Sequence, residues 1–211
     1  MNSIDAKVKS LLDAIRLFYQ KEIDRGVPGK DMLREVDQYL REMPTETQLP
    51  ERALAPVVVQ LQEAAAQYCS LGMRSILESF LELEPNVKWT RNPNYTADRI
   101  GEHFLENYAF CNVIGPGGFL ETDRLMMGFL LLGPGAYYPK HFHPALEMYH
   151  PVCGEAFWSQ SEGSEVIHPS GTAVYHGENV IHTMRTAEQP LLALFTWLGE
   201  IDVHAELKIA V

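Results

Sequence analysis

The chain has 211 residues, with 17 Lys and Arg against 28 Asp and Glu and a formal net charge of −11. Hydrophobic residues make up 46% and charged residues 21%, the balance of an ordinary globular protein, which excludes a disordered or collagen-like chain. The acid excess argues against a nucleic-acid binder, whose affinity comes from Lys and Arg neutralising phosphates, and no run approaches the roughly 18 to 20 apolar residues of a membrane span.

Ile4, Val8, Leu11, Leu12, Ile15, Phe18 and Tyr19 recur at the three-and-four spacing of one helix face and predict a first helix. Charges at Asp5, Lys7, Lys9 and Asp13 interrupt any apolar signal-peptide core, so a soluble, cytoplasmic protein is expected. Gly26-Val27-Pro28-Gly29 ends that helix, and Leu33, Val36, Tyr39 and Leu40 predict a second over 31–43. Pro44 and Pro50 bracket a connector. Residues 54–83 are rich in Ala, Leu and Glu and predict a third and fourth helix, with Pro56 near the start and Gly72 as the break. Phe18, Tyr19, Tyr39 and Phe80 fall at helical spacing and are expected to pack.

From about Pro85 the texture becomes β. Gly/Pro turns separate short runs of Val, Ile, Phe, Tyr and Trp, with strands expected over 108–114, 125–132, 148–158, 165–168, 172–175, 181–186, 191–197 and 203–209. Without helical periods between them, they predict an antiparallel sandwich or barrel. The expected organisation is a helical segment over 1–90 and a β-barrel over 91–211. Cys69, Cys111 and Cys153 are odd in number, far apart and free of CxxC spacing, so reduced, buried thiols are expected.

The residues that carry chemistry lie in one string, 135–154. In extended chain, side chains two apart share a face. His141 and His143 then point together, as do Glu147 and Tyr149. Two imidazoles and a carboxylate suit Zn²⁺, Fe²⁺, Mn²⁺ or a similar divalent ion with a coordination position left open. His182, in a second β segment opened by Pro169-Ser170-Gly171, is the candidate for a fourth ligand. His150, His168, His176 and His204 are expected to be structural or exposed.

Gly135, His141-x-His143, Glu147 and Gly154 stand at the spacing of the first cupin motif, and Gly171 with His182 is similar to the second. Thr172 and His176-Gly177 depart from the second. The resemblance implies a double-stranded β-helix, or jelly-roll, with His141, His143, Glu147 and His182 holding a metal inside the barrel. The string Tyr137-Tyr-Pro-Lys-His-Phe-His-Pro-Ala-Leu-Glu-Met-Tyr149, behind a helical segment, further resembles the cupin-type bacterial dimethylsulfoniopropionate (DMSP) lyases. That likeness implies cleavage of a small sulfonium carboxylate to acrylate and dimethyl sulfide, with Tyr149 as the catalytic tyrosine. It implies Tyr138 as a second, with Tyr137 the alternative.

The same chemistry follows from the residues. β-Elimination needs a base near a metal-bound carboxylate and aromatic faces for the sulfonium, for which Tyr137, Phe142, Trp158 and Trp197 are candidates. A homodimer is expected. An iron-dependent dioxygenase acting on a small carboxylate and a non-catalytic small-molecule-binding cupin are the alternative functions.

Overall fold

Two unbroken apolar runs set the architecture. Leu125–Leu132 and Leu191–Leu198 are buried at every position, which a strand achieves only when both of its faces are covered. The computed structural model, which describes residues 3–43 and 46–208, shows what covers each face. Helices α1 (Ser3–Arg25), α2 (Lys30–Glu42), α3 (Leu61–Gln67) and α4 (Arg74–Leu83) precede two short ones, α5 (Ala97–Ile100) and α6 (Glu102–Glu106). The strands that follow are β1 (Tyr108–Ile114), β2 (Leu125–Leu132), β3 (Tyr137–Phe142), β4 (Leu146–Cys153), β5 (Glu155–Gln160), β6 (Val166–Pro169), β7 (Val174–His176), β8 (His182–Arg185), β9 (Leu191–Leu198) and β10 (Glu206–Leu207). They form two five-stranded antiparallel sheets, ordered β1-β2-β9-β4-β7 and β10-β3-β8-β5-β6.

The first sheet is the partition of the molecule. On β2, Met127, Phe129 and Leu131 turn towards the helices, while Met126, Leu130 and Leu132 turn into the barrel. On β9 the same alternation sends Leu192 and Leu194 outward and Ala193, Phe195 and Trp197 inward. Phe80 of α4 stacks on Phe129 with ring centroids 3.8 Å apart. Gly128 lets β1 and β2 approach, since a Cβ there would lie 1.9 Å from the Cys111 carbonyl oxygen. The second sheet has one covered face only, and Tyr137 and Ile167 on its outer side are exposed.

Several expected elements differ in the structure, each for a local reason. The strand expected over 148–158 is two, because Gly154 turns the chain at φ 78°, where a Cβ would strike the Pro190 carbonyl. Strand β3 was hidden by Pro139, which accompanies a register shift between Tyr138 and His141. The two helices expected over 54–83 with a break at Gly72 are α3 and α4, but α3 starts late and the break begins before Gly72. Pro56 starts a 3₁₀ turn, Pro56–Gln60, and at 68–70 the backbone pairs with the barrel: Gly154 N–H donates to the Tyr68 carbonyl and Ser70 N–H to Ser170 Oγ. Helices α5 and α6 lie inside the stretch read as β. The last strand is the short β10, and Ile209 of the expected run lies outside the described residues. Among the described residues no helix is long and apolar enough to cross a membrane.

A polar seam runs through the helix-to-sheet contact. Tyr19 of α1 hydrogen-bonds Thr196 of β9 at 2.6 Å, and Glu22, buried on the same helix, places Oε2 3.8 Å from His150 Nε2 on β4 while Arg25 donates to Oε1 at 2.8 Å. Phe18 meets the His150 ring edge-on at 4.9 Å. Burial holds His150 below the usual histidine range. Below about pH 6.5 the unfolded chain therefore takes up a proton here before the folded chain does, and stability falls as pH falls towards the folded-state pKa, by at most about 1.4 kcal/mol per unit for this one group. Urea unfolding at pH 7, 6 and 5 will show that fall, and His150→Leu will flatten it by about one proton's share.

Candidate metal centre

Glu147 is fully buried between the sheets. It stands on β4 of the first sheet, opposite Trp197 of β9 on one side and His176 of β7 on the other. Two of the histidines that face it belong to the second sheet and the turn after it: His182 opens β8, and His143 follows β3. His143 Nε2 lies 3.1 Å and His182 Nε2 3.3 Å from Glu147 Oε2, and Trp197 Nε1–H donates to Oε1 at 2.5 Å. The site thus draws donors from both layers of the barrel.

The orientation of each imidazole is fixed from behind. The Nδ1 atoms of His141, His143 and His182 meet the carbonyl oxygens of Pro139, Ala145 and Val180 at 2.7, 3.0 and 2.8 Å. A carbonyl accepts only, so each Nδ1 carries a proton, which leaves Nε2 as the ring atom turned towards the interior and able to ligate. An aromatic face presses on each ring as well: Tyr138 on His141 at 3.6 Å, Trp197 on His143 at 4.0 Å and His176 on His182 at 3.9 Å. This is the backing that metal-ligating histidines require.

His143, Glu147 and His182 form a group that could hold a metal ion, with one donor atom from each within 4.8 Å of the others. The donor chemistry fits. The Nε2 atoms of two imidazoles converge on a carboxylate whose burial alone would raise it, but which the charges and hydrogen bonds of the His143 and His182 rings hold well below its usual range. His182 Nε2 is buried with no hydrogen-bond partner. Two imidazole nitrogens and a carboxylate oxygen converging in a dry interior are a donor set that a divalent cation can use. His141 stands beside this group, its ring 4.0 Å from that of His182 and paired with it in register across β3 and β8. Burial and the neighbouring His182 hold His141 well below the usual histidine range, so it is neutral.

A cavity of about 460 Å³ opens next to the centre. Tyr138, Tyr149 and Trp197 line its inner wall, Tyr108, Phe110 and Phe195 its sides, and the exposed His204 its mouth. Of the two adjacent tyrosines it is Tyr138, 3% exposed, that turns inward, with its hydroxyl 2.7 Å from that of Tyr95. Tyr137 is 51% exposed on the outer face and is not brought to the cavity. Trp158 lies behind Tyr149 at 4.9 Å, buried and off the cavity wall, its indole N–H without a partner, and Phe142 sits at the β3–β10 edge. Burial, then the Glu147 charge, pushes the Tyr149 hydroxyl well above the usual tyrosine range. The neighbouring carboxylate by itself thus opposes a phenolate here.

Two groups escaped the sequence reading. Tyr95 and Tyr108 join Tyr138 in an aromatic cluster, with centroids 5.4 to 6.1 Å apart. They come from outside the motif, and no spacing rule connects them to it. His176, expected to be structural or exposed, is buried in the barrel, and neither of its ring nitrogens has a partner. Its register opposite Glu147 was the signal, visible only once β4 and β7 are paired.

The comparisons with known proteins agree with this geometry. A family model described as dimethylsulfoniopropionate lyase matches residues 31–193. The dimethylsulfoniopropionate lyase DddQ of Ruegeria pomeroyi is 29% identical over 143 residues, 67% of this chain and 70% of that protein. Two solved structures overlay nearly the whole chain. The crystal structure of DMSP lyase DddQ from Ruegeria pomeroyi gives a TM-score of 0.75 over 97% of both chains. A chain from the crystal structures of the DMSP lyases RdDddP and RnDddQII gives 0.76 over 97% of this chain and 98% of that one. Both are 22% identical to this chain, and they speak to the fold: a cupin-type jelly-roll behind N-terminal helices.

Cobalt titration tests the donor set. The chain will take up one Co²⁺ with visible d–d bands of a low-coordinate site, and His182→Ala will abolish them while Trp158→Phe leaves them in place.

Proposed function

Because the chain belongs to the dimethylsulfoniopropionate lyase family, we propose that it cleaves DMSP to acrylate and dimethyl sulfide by β-elimination in the cavity beside Glu147. The observation that carries the proposal is Tyr149, on the same strand and face as Glu147, two residues away, with its hydroxyl-bearing ring in the cavity wall. His141, His143, Glu147 and His182 are its metal-holding residues. A divalent ion held there supplies positive charge that polarises the substrate carboxylate and favours the Tyr149 phenolate.

The residues then divide the work. The substrate carboxylate faces the ligand cluster, which places the adjacent C–H against Tyr149. Tyr149 Oη takes that proton, the C–H pair becomes the new C=C bond, and the Cβ–S pair departs with sulfur as neutral dimethyl sulfide. Trp197, Tyr108 and Phe195 offer aromatic faces to the sulfonium and keep the cavity poor in water. Tyr138, hydrogen-bonded to Tyr95, holds the wall next to His141 and is placed to meet the substrate. Tyr137 and Trp158, expected on the sequence to bind substrate, act in this reading only indirectly, since the first faces solvent and the second backs Tyr149. The reading includes one Zn²⁺, Fe²⁺ or Mn²⁺ per chain, a cytoplasmic homodimer and a 1–90/91–211 division between helical segment and barrel, to be checked by metal analysis, sedimentation, localisation and limited proteolysis.

Headspace analysis for dimethyl sulfide over metal-loaded protein given DMSP tests the activity, with acrylate followed in parallel. Tyr149→Phe will keep its metal and lose turnover by at least about 10²-fold, the usual contribution of a positioned base. His143→Ala will lose the metal as well. Undiminished dimethyl sulfide release from Tyr149→Phe overturns the assigned base.

A further inference from the structure

The backbone pairing that interrupts the helical run over 54–83 also brings two thiols together. Cys69, just after α3, and Cys153, the last residue of β4, are partners in an isolated antiparallel bridge. The Gly154 N–H donates to the Tyr68 carbonyl at 2.9 Å, so the hydrogen bond flanks the two cysteines instead of joining them. Residues at such positions have Cα atoms about 4.5 Å apart and side chains at their closest, which falls within the range of roughly 4.4 to 6.8 Å that a disulfide spans. The Cys69 thiol donates to its neighbouring Ser70 carbonyl at 3.4 Å. Both cysteines are free, Cys153 is buried, and Cys69 is half-buried, not buried as its sequence suggested.

We propose that Cys69 and Cys153 are a redox pair that closes to an intramolecular disulfide on exposure to a hydroperoxide, tying the segment after α3 to the end of β4. Cys69 is the attacking thiol. Solvent reaches it, and although burial and, more weakly, Glu78 raise its thiol above the ordinary range, the Cys153 thiol and Arg74 act in favour of its thiolate. Around Cys153 burial and the neighbouring Cys69 act together in the opposite direction. The Cys69 thiolate attacks the O–O bond, which breaks to give a Cys69 sulfenic acid and, from hydrogen peroxide, one water after protonation. The Cys153 sulfur then attacks the Cys69 sulfur, the S–S bond forms, the S–O bond breaks, and hydroxide leaves with the thiol proton as a second water. Two thiols are oxidised, one peroxide is reduced, and an external dithiol reverses the reaction. None of this depends on what the barrel interior catalyses.

Peptide mapping of the whole protein after hydrogen peroxide treatment, without reducing agent, tests the pair. The expected result is a Cys69–Cys153 cross-link within one chain, lighter by two hydrogens and reversed by dithiothreitol. Cys111, fully buried on β1, will stay available to alkylation after denaturation. The oxidised protein will melt higher, by about 5 °C or more, as expected for a long loop closed in the unfolded chain. In Cys153→Ser, a dimedone-type reagent will trap sulfenic acid at Cys69. The proposal fails if the wild type gives no cross-link, gives cross-links only between chains, or overoxidises Cys69 as fast as Cys153→Ser does.

Discussion

A carboxylate sealed between two sheets is the constraint on which the rest of this structure depends. Glu147 has no access to water, and removing its charge from solvent is costly unless charges or donors inside the protein replace the lost hydration. One oxygen has the Trp197 N–H; the other faces two imidazole nitrogens. The three backbone carbonyls that hold the Nδ1 protons of His141, His143 and His182 fix the rings so that Nε2 faces the interior. Such a cluster offers its ring nitrogens and a carboxylate oxygen to one point, so the turn geometry at Pro139, Ala145 and Val180 is also what gives the site its ligand chemistry.

That cluster can only stay rigid if the sheet carrying Glu147 is held from behind. Trp197 and Tyr149 face the cavity; Thr196 and His150, their immediate neighbours on β9 and β4, face α1, where Tyr19 and Glu22 meet them. The period-two alternation of a strand means that the helices touch the residue next to each functional one. The helical layer is thus joined to the site through the backbone, and the outward core of Phe80 against Phe129 makes that layer part of the same packed body.

How much of this could be read from the chain differs from residue to residue. His141, His143, Glu147 and Tyr149 sit in one short string, and spacing alone puts them on common faces; the structure brings His143 and Glu147 together with His182 and leaves His141 at the side of the group. The layering was legible in LMMGFLLL and LLALFTWL, which are too apolar for a sheet with one wet face. Relations set by pairing between distant strands were not legible. Tyr95 meets Tyr138, and His176 meets Glu147, across contacts that no local pattern encodes. The choice between Tyr137 and Tyr138 was closed to a parity argument because the bulge after Tyr138 resets the alternation. The break between the third and fourth helices, expected at Gly72, begins earlier at Tyr68 for the same kind of reason: Ala and Leu favour continuing α3, and the Tyr68 carbonyl is worth more to the barrel edge.

Trp197 shows why ligand and substrate wall cannot be tuned separately in this barrel. Its indole N–H fixes one Glu147 oxygen, its ring face lies on His143, and its remaining edge is cavity surface. A change in the shape of the cavity at this position therefore rotates a carboxylate and frees an imidazole at once. By contrast Tyr108, Phe110 and Phe195 touch the cavity without touching the ligand group. Substitutions at those three positions can reshape the cavity while the group of His143, Glu147 and His182 is left in place.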